Sequence, residues 1–135
     1  MRTILRILAA IFFVVAGTFH FLKPELYRQI MPPYLPAPQL LVLISGLAEI
    51  AGGIGLLTAR FRRAAGWGLI WLLIAVFPAN IYMTQHPGQF HLAPWILWAR
   101  LPLQGVFIAW VWFAAIRRSR SSPSRPDDNE LPKRS

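Results

Sequence analysis

Six polar side chains lie inside, or at the ends of, otherwise apolar stretches: His20, Ser45, Glu49, Asn80, Arg100 and Gln104. They supply imidazole, amide and guanidinium donors beside one carboxyl group able to hold or release a proton. Such a set suits the binding of a polar group carried by a lipophilic molecule, and it contains no catalytic motif. No cysteine occurs, which excludes a disulfide framework, thiol exchange and any thiolate metal or cluster site built by this chain alone. His86 and His91 lie five apart in a loop sequence with no carboxylate or cysteine beside them, so no metal is expected.

Glu49 occupies the most demanding position. It stands in SGLAEIAGGIGLL, residues 45–57, ten residues beyond Gln39. Helical rise places it roughly 15 Å deep, at the middle of a ~30 Å hydrocarbon layer. An acid at a helix centre costs about 2.5–3.5 kcal/mol to insert, while the segment's ten Leu, Ile and Val residues return roughly 3–6 kcal/mol. The helix therefore inserts, and its carboxyl must face the bundle interior, where it takes a cationic or hydrogen-bonding partner or carries a proton. Ser45, four residues earlier, shares its face. Arg100 lies about five residues inside the last apolar stretch and either snorkels or reaches inward, with Gln104 at i+4 beside it. His20 and Asn80 stand near the outer ends of the first and third stretches. The expectation is a polar cluster in the outer half of a bundle, centred on Glu49 and Arg100. Its plainer alternative is a buried ion pair that only sets helix register.

The elements that must position these groups follow from hydropathy. Of 135 residues, 56% are hydrophobic and 14% charged, outside the balance of a soluble domain. Apolar stretches at 4–22, 39–58, 64–83 and 95–116 each have the length to span a bilayer. Together they predict an all-α fold, an integral membrane four-helix bundle over residues 1–118. The basic start and apolar run of the first stretch also fit a signal peptide, but no good A-x-A site precedes the His20 region, so it is read as a span. Residues 23–38 hold Pro24, Pro32, Pro33, Pro36 and Pro38 and read as a non-helical extramembrane loop. RFRR at 60–63 reads as a tight turn, and residues 84–94 as the last connection. Residues 119–135, rich in Ser, Pro and charge, read as a disordered basic cytoplasmic tail.

Ala48 with Gly52, Ala51 with Gly55 and Ala64 with Gly68 have the small-xxx-small spacing of close helix contacts. Pro78 removes the helical donor to the Ile74 carbonyl.

The net charge of +9 does not indicate nucleic acid, because the basic residues collect at segment ends rather than across a folded face. Eleven of the 14 Lys and Arg residues fall on one side of the four spans and three on the other. That bias places both termini in the cytoplasm. Trp95 and Trp98 mark the outer interface, and Trp67, Trp71, Trp110 and Trp112 lie toward the inner one. The expected location is a bacterial-type cytoplasmic membrane, with the lipid bilayer as the first partner.

In order and spacing, AGTFHFLKPELY, MPPYLPAP, SGLAEIAGGIGLL, AVFPANIYM and RLPLQ resemble the DoxX-like (DoxX/MauE-type) integral membrane proteins, over most of residues 8–112. The resemblance implies a four-helix membrane fold and a neighbourhood of quinones and redox partner subunits; it implies no reaction. The functional expectation is a non-catalytic accessory subunit of a quinone-linked membrane redox assembly, with quinone as the ligand of the polar pocket. The alternative is a small transporter or proton-linked permease. Four helices rarely enclose a path without forming homo-oligomers, and no inverted repeat relates the two halves.

Overall fold

The computed structural model describes residues 1–90 and 92–117. His91, Arg118 and the tail expected at 119–135 lie outside the described residues. Helices are Arg2–Leu22 (α1), Pro24–Gln29 (α2), Pro38–Leu57 (α3), Arg62–Gln85 (α4) and Pro94–Val111 (α5). A 3₁₀ turn, Pro87–Gln89, precedes α5, and a π-helical turn, Trp112–Ile116, continues it; no strand occurs among the described residues.

Four helices are long and apolar enough to cross a membrane: α1, α3, α4, and α5 with its π-helical turn. Their ends all fall within two residues of the hydropathy boundaries, the margin within which helix ends fray in any assignment. The apolar side chains of these helices largely face outward. Ile4, Ile11, Leu47, Ile54, Trp71, Trp98 and Val106 are all exposed, an exterior that matches lipid rather than water, as in a multi-pass membrane protein.

One connection departs from expectation. Residues 24–29 form α2 within the segment read as a non-helical loop. Pro24 is the helix's first residue, where the missing N–H has no helical partner to lose and the fixed φ is already helical. Glu25 in the first turn and Arg28 in the last complement the helix dipole and pair with each other. The prolines that break helix lie later, at 32–38. Just before α3, Ala37 between two prolines adopts the left-handed region, with φ of 46°.

α1 packs along α3, α3 against α4 and α4 against α5; α1 meets α5 chiefly through the π-helical turn. The α1–α3 approach is closest because glycines lie on it. A Cβ on Gly17 would come within 2.6 Å of the Gly46 carbonyl oxygen, and one on Gly53 within 2.9 Å of the Ala10 carbonyl. Gly52 and Gly55 pack on Leu69 and Ala65 of α4. Gly68 does not complete the expected contact with Ala64: nothing lies within 4 Å of a Cβ there.

Between α1 and α5 the spacing is set by large rings. Phe12 stacks on Phe107 with centroids 4.8 Å apart, and the Trp110 indole donates to the Leu5 carbonyl at 3.0 Å. The apolar core, including Ala9, Ala10, Phe13, Leu56, Leu69, Val111 and Ile116, fills the half of the bundle that holds the N-terminus of α1. The polar residues are left to the other half.

Candidate functional site

His20 lies in the last turn of α1, and its Nδ1 is 3.0 Å from the Val42 carbonyl oxygen on α3. A carbonyl only accepts, so Nδ1 carries the hydrogen. Nε2 then faces Glu49 Oε2 at 3.6 Å, within ion-pair range and too long for a direct hydrogen bond. Either atom can carry a proton, so the pair can hold one as imidazole with carboxylic acid or as imidazolium with carboxylate.

The helix contact makes this juxtaposition. A Cβ on Gly46 would lie 2.6 Å from His20 Cβ, and one on Gly17 would lie 2.9 Å from Glu49 Cβ. Only glycine at both positions lets the α1 and α3 backbones approach closely enough to bring imidazole to carboxyl.

Facing them, Asn80 of α4 and Gln104 of α5 are both buried. Asn80 Nδ2 donates to Gln104 Oε1 at 2.6 Å, and Gln104 Nε2 donates to the Leu73 carbonyl. Leu73 adjoins Ile74, whose carbonyl loses its helical donor to Pro78; α4 nevertheless continues through this proline. Two buried polar atoms have no hydrogen-bond partner here, Glu49 Oε2 and Asn80 Oδ1.

All of these side chains border one cavity of about 260 Å³, with Tyr27, Arg100 and the rings of Phe12, Phe13 and Phe107. Five of the six residues singled out in the sequence thus share a wall: His20, Glu49, Asn80, Arg100 and Gln104. Ser45 does not line it. One helical turn along α3 from Glu49 moves it along the axis, past the end of the cavity, although the two residues share a face.

Glu49 and Arg100, expected at the centre of the cluster, both line the cavity and do not pair with each other. Glu49's close partner is His20, and Arg100 makes no ion pair among the described residues. Arg100 sits across the cavity on α5, whereas α1 and α3 touch directly.

Tyr27, in the segment expected to be a non-helical loop, is also a wall of this site. The sequence signal was present: proline followed by an acid and then a base is a helix-start pattern, and that helix turns Tyr27 inward. Its ring lies over His20, centroids 3.8 Å apart and planes tilted by 34°. Burial, and then the nearby Glu49 carboxyl, push the Tyr27 phenol above its ordinary value, with Arg100 opposing.

A second cavity, about 460 Å³, lies toward the α2 and α4–α5 connections between Lys23, Leu26, Ile30, Met83 and Phe90; Tyr27 and Arg100 belong to its walls too. His86, the described member of the two loop histidines, stacks on Tyr82 and bonds its carbonyl at 3.0 Å.

The arrangement can hold a small polar group against the His20–Glu49 pair, an amide network, a phenol and a guanidinium. No curated protein and no solved structure matches the chain. Residues 8–115, which contain every wall of the inner cavity, match the model of a family described as a domain of unknown function (DUF8561), and the chain belongs to that family.

Proposed function

We propose that this protein is a non-catalytic accessory subunit of a quinone-linked membrane redox assembly, and that its inner cavity holds the quinone head. One observation carries the reading. Both buried side-chain oxygens without a hydrogen-bond partner among the described residues, Glu49 Oε2 and Asn80 Oδ1, belong to side chains that border the same cavity. Buried polar atoms are normally satisfied, and a ligand in this cavity would satisfy both.

The chemistry suits a quinone in both states. Its carbonyls need donors, which the Arg100 guanidinium, the Tyr27 hydroxyl and the proton of the His20–Glu49 pair supply. The reduced form bears hydroxyls, for which Asn80 Oδ1 and Glu49 are acceptors. At about 260 Å³ the cavity lies below the roughly 300–1,000 Å³ of pockets for whole drug-sized ligands, a size for a ring-shaped head with its tail left among the helices. The resemblance to DoxX-like proteins supports the same neighbourhood. Both termini lie in the cytoplasm of a bacterial-type cytoplasmic membrane on this reading, supported by the eleven-to-three distribution of basic residues.

Gentle solubilisation of native membranes, followed by mass spectrometry of co-purifying lipophiles and proteins, tests it with wild type and Glu49→Gln. A quinone and a redox enzyme should accompany the wild type stoichiometrically. In the variant quinone retention should fall about tenfold or more, the loss expected for a hydrogen bond to a charged or proton-sharing group. Unchanged quinone-linked activity at normal membrane abundance would discard the proposal.

A proton-linked permease is the second reading, favoured by a second cavity beside the first that has Tyr27 and Arg100 in its walls too, and by the intramembrane Glu49. Proteoliposomes showing no proton flux or uptake, for monomer and oligomer alike, would remove it.

A further inference from the structure

Three of the four seams around the inner cavity are drawn together by specific contacts. α1 and α3 meet backbone to backbone at Gly17 and Gly46, and α3 and α4 meet through Gly52 and Gly55 on Leu69 and Ala65, starting about one turn from Glu49. At the level of the cavity α4 and α5 are joined by the Asn80–Gln104 hydrogen bond and by the bond from Gln104 to the Leu73 carbonyl. The fourth seam is looser. α1 meets α5 chiefly through the π-helical turn, at the other end of the bundle, and toward the cavity the two helices are spaced by rings, Phe12 stacked on Phe107.

Exposure marks where the cavity reaches the surface. Among the residues that border it, Phe12 and Leu103 are 39% and 47% exposed, and every other one is buried or half-buried. Phe12 belongs to α1 and Leu103 to α5, the two sides of the loosest seam. Around them Leu8, Ile11 and Val15 on α1 and Val106 on α5 are exposed as well, so the opening lies within an apolar exterior and not at a charged end of the bundle.

We propose that the inner cavity opens sideways into the lipid between α1 and α5, and that its ligand is a membrane-dissolved molecule admitted past Phe12 and Leu103. This portal deepens the quinone reading and rests on its premise that the cavity binds a ligand. A molecule taking this route stays out of water throughout, and its polar group passes from hydrocarbon, which offers it no partner, to the donors and acceptors of the cavity. A flat ring suits the passage, because the Phe12–Phe107 stack, its planes 25° apart, presents aromatic faces at the mouth. The competing route is aqueous, through the second cavity, which shares Tyr27 and Arg100 with the first and also borders Lys23 and Gln29.

The chain has no cysteine, so a thiol placed on the cavity wall reports access to it. Ala16→Cys, or Val76→Cys on α4 should the first fail to fold, supplies that thiol, both positions bordering the cavity. The full chain in lipid nanodiscs is labelled with N-phenylmaleimide, which dissolves in the bilayer, and with a charged methanethiosulfonate, which does not. Adding Leu103→Trp, at an exposed position where a larger ring need not disturb the core, should slow N-phenylmaleimide about tenfold and the charged reagent by about twofold at most. Val106→Trp, also exposed but not bordering the cavity, should slow either reagent by about twofold at most. Equal slowing of N-phenylmaleimide by the two tryptophans, or no slowing by Leu103→Trp, overturns the portal in favour of the aqueous route. Ubiquinone added to the nanodiscs separates the two proposals: protection of the thiol supports the portal as the quinone's route, whereas labelling that Leu103→Trp slows and ubiquinone leaves unchanged keeps the portal and discards the quinone.

Discussion

At the scale of single residues, the His20–Glu49 pair shows how a membrane interior accommodates an acid. The carboxyl is opposed by an imidazole whose other nitrogen is committed to the Val42 carbonyl, so tautomer and orientation are set together. Asn80 and Gln104 solve the same problem with neutral amides, a type of contact worth about 0.6–2 kcal/mol in membrane helices. Tyr27, in α2 outside the spans, lends itself to a pH measurement. Its phenol is raised above the usual ~10 by burial first and then by Glu49's charge, against Arg100. A folded-state value above the unfolded one means that this group's contribution to stability is complete below about pH 10 and is lost as pH rises toward the folded value. Thermal unfolding followed upward from pH 9 should therefore show a decline to which Tyr27 contributes, and Tyr27→Phe should make that decline shallower. An identical decline in both proteins would show that Tyr27 is not desolvated by its contact with His20.

Among the elements, α1 and α3 form the pair on which the site depends. Gly17 and Gly46 remove the side chains that would hold these helices apart, and without that approach His20 would not reach Glu49. The glycines differ sharply in what surrounds them, which predicts opposite outcomes for the same substitution. Gly17→Ala places its methyl 2.6 Å from a backbone oxygen, which cannot rotate aside, and should destabilise the protein by about 1–3 kcal/mol. Gly68→Ala meets open space and should be neutral or stabilising by up to about 1 kcal/mol, because alanine favours helix. Unfolding of both variants in detergent checks the contrast, and equal destabilisation would show that helix propensity, not interhelical contact, governs these positions. Spacing alone made Gly68 and Gly52 look equivalent, since each follows an alanine by four residues. Which of them meets a neighbour depends on how the helix is rotated in the bundle, and α4 carries apolar residues around most of its circumference, so no polar face reports that rotation. α2 is legible in Pro24, Glu25 and Arg28, but Pro32, Pro33, Pro36 and Pro38 give the same connection the composition of a helix-free loop.

For the molecule as a whole, the apolar exterior and the separation of an apolar core half from a polar half describe a bundle whose solvent is lipid. Orientation is open to direct measurement because the chain has no cysteine of its own, so single introduced thiols report without background. With both termini inside, Gln29→Cys on α2 should react with an impermeant maleimide in intact cells, and Arg60→Cys in the α3–α4 turn should react only after lysis. The reverse pattern would invert the topology. The number, length and approximate ends of the spans were determined by the sequence alone, because lipid offers backbone groups no partner and each crossing must be a complete apolar helix. The polar types able to form a site, and their gathering in one half of the bundle, were legible for the same reason: an exceptional residue in an apolar segment is conspicuous. Partners within the site were decided only by tertiary structure. Glu49 meets His20 rather than Arg100, Ser45 falls beyond the cavity, and Tyr27 closes over His20. Each of these depends on the rotation and closeness of helices, which are set by glycine contacts and aromatic spacers between elements distant in the chain, and hydropathy along a single segment carries no record of them.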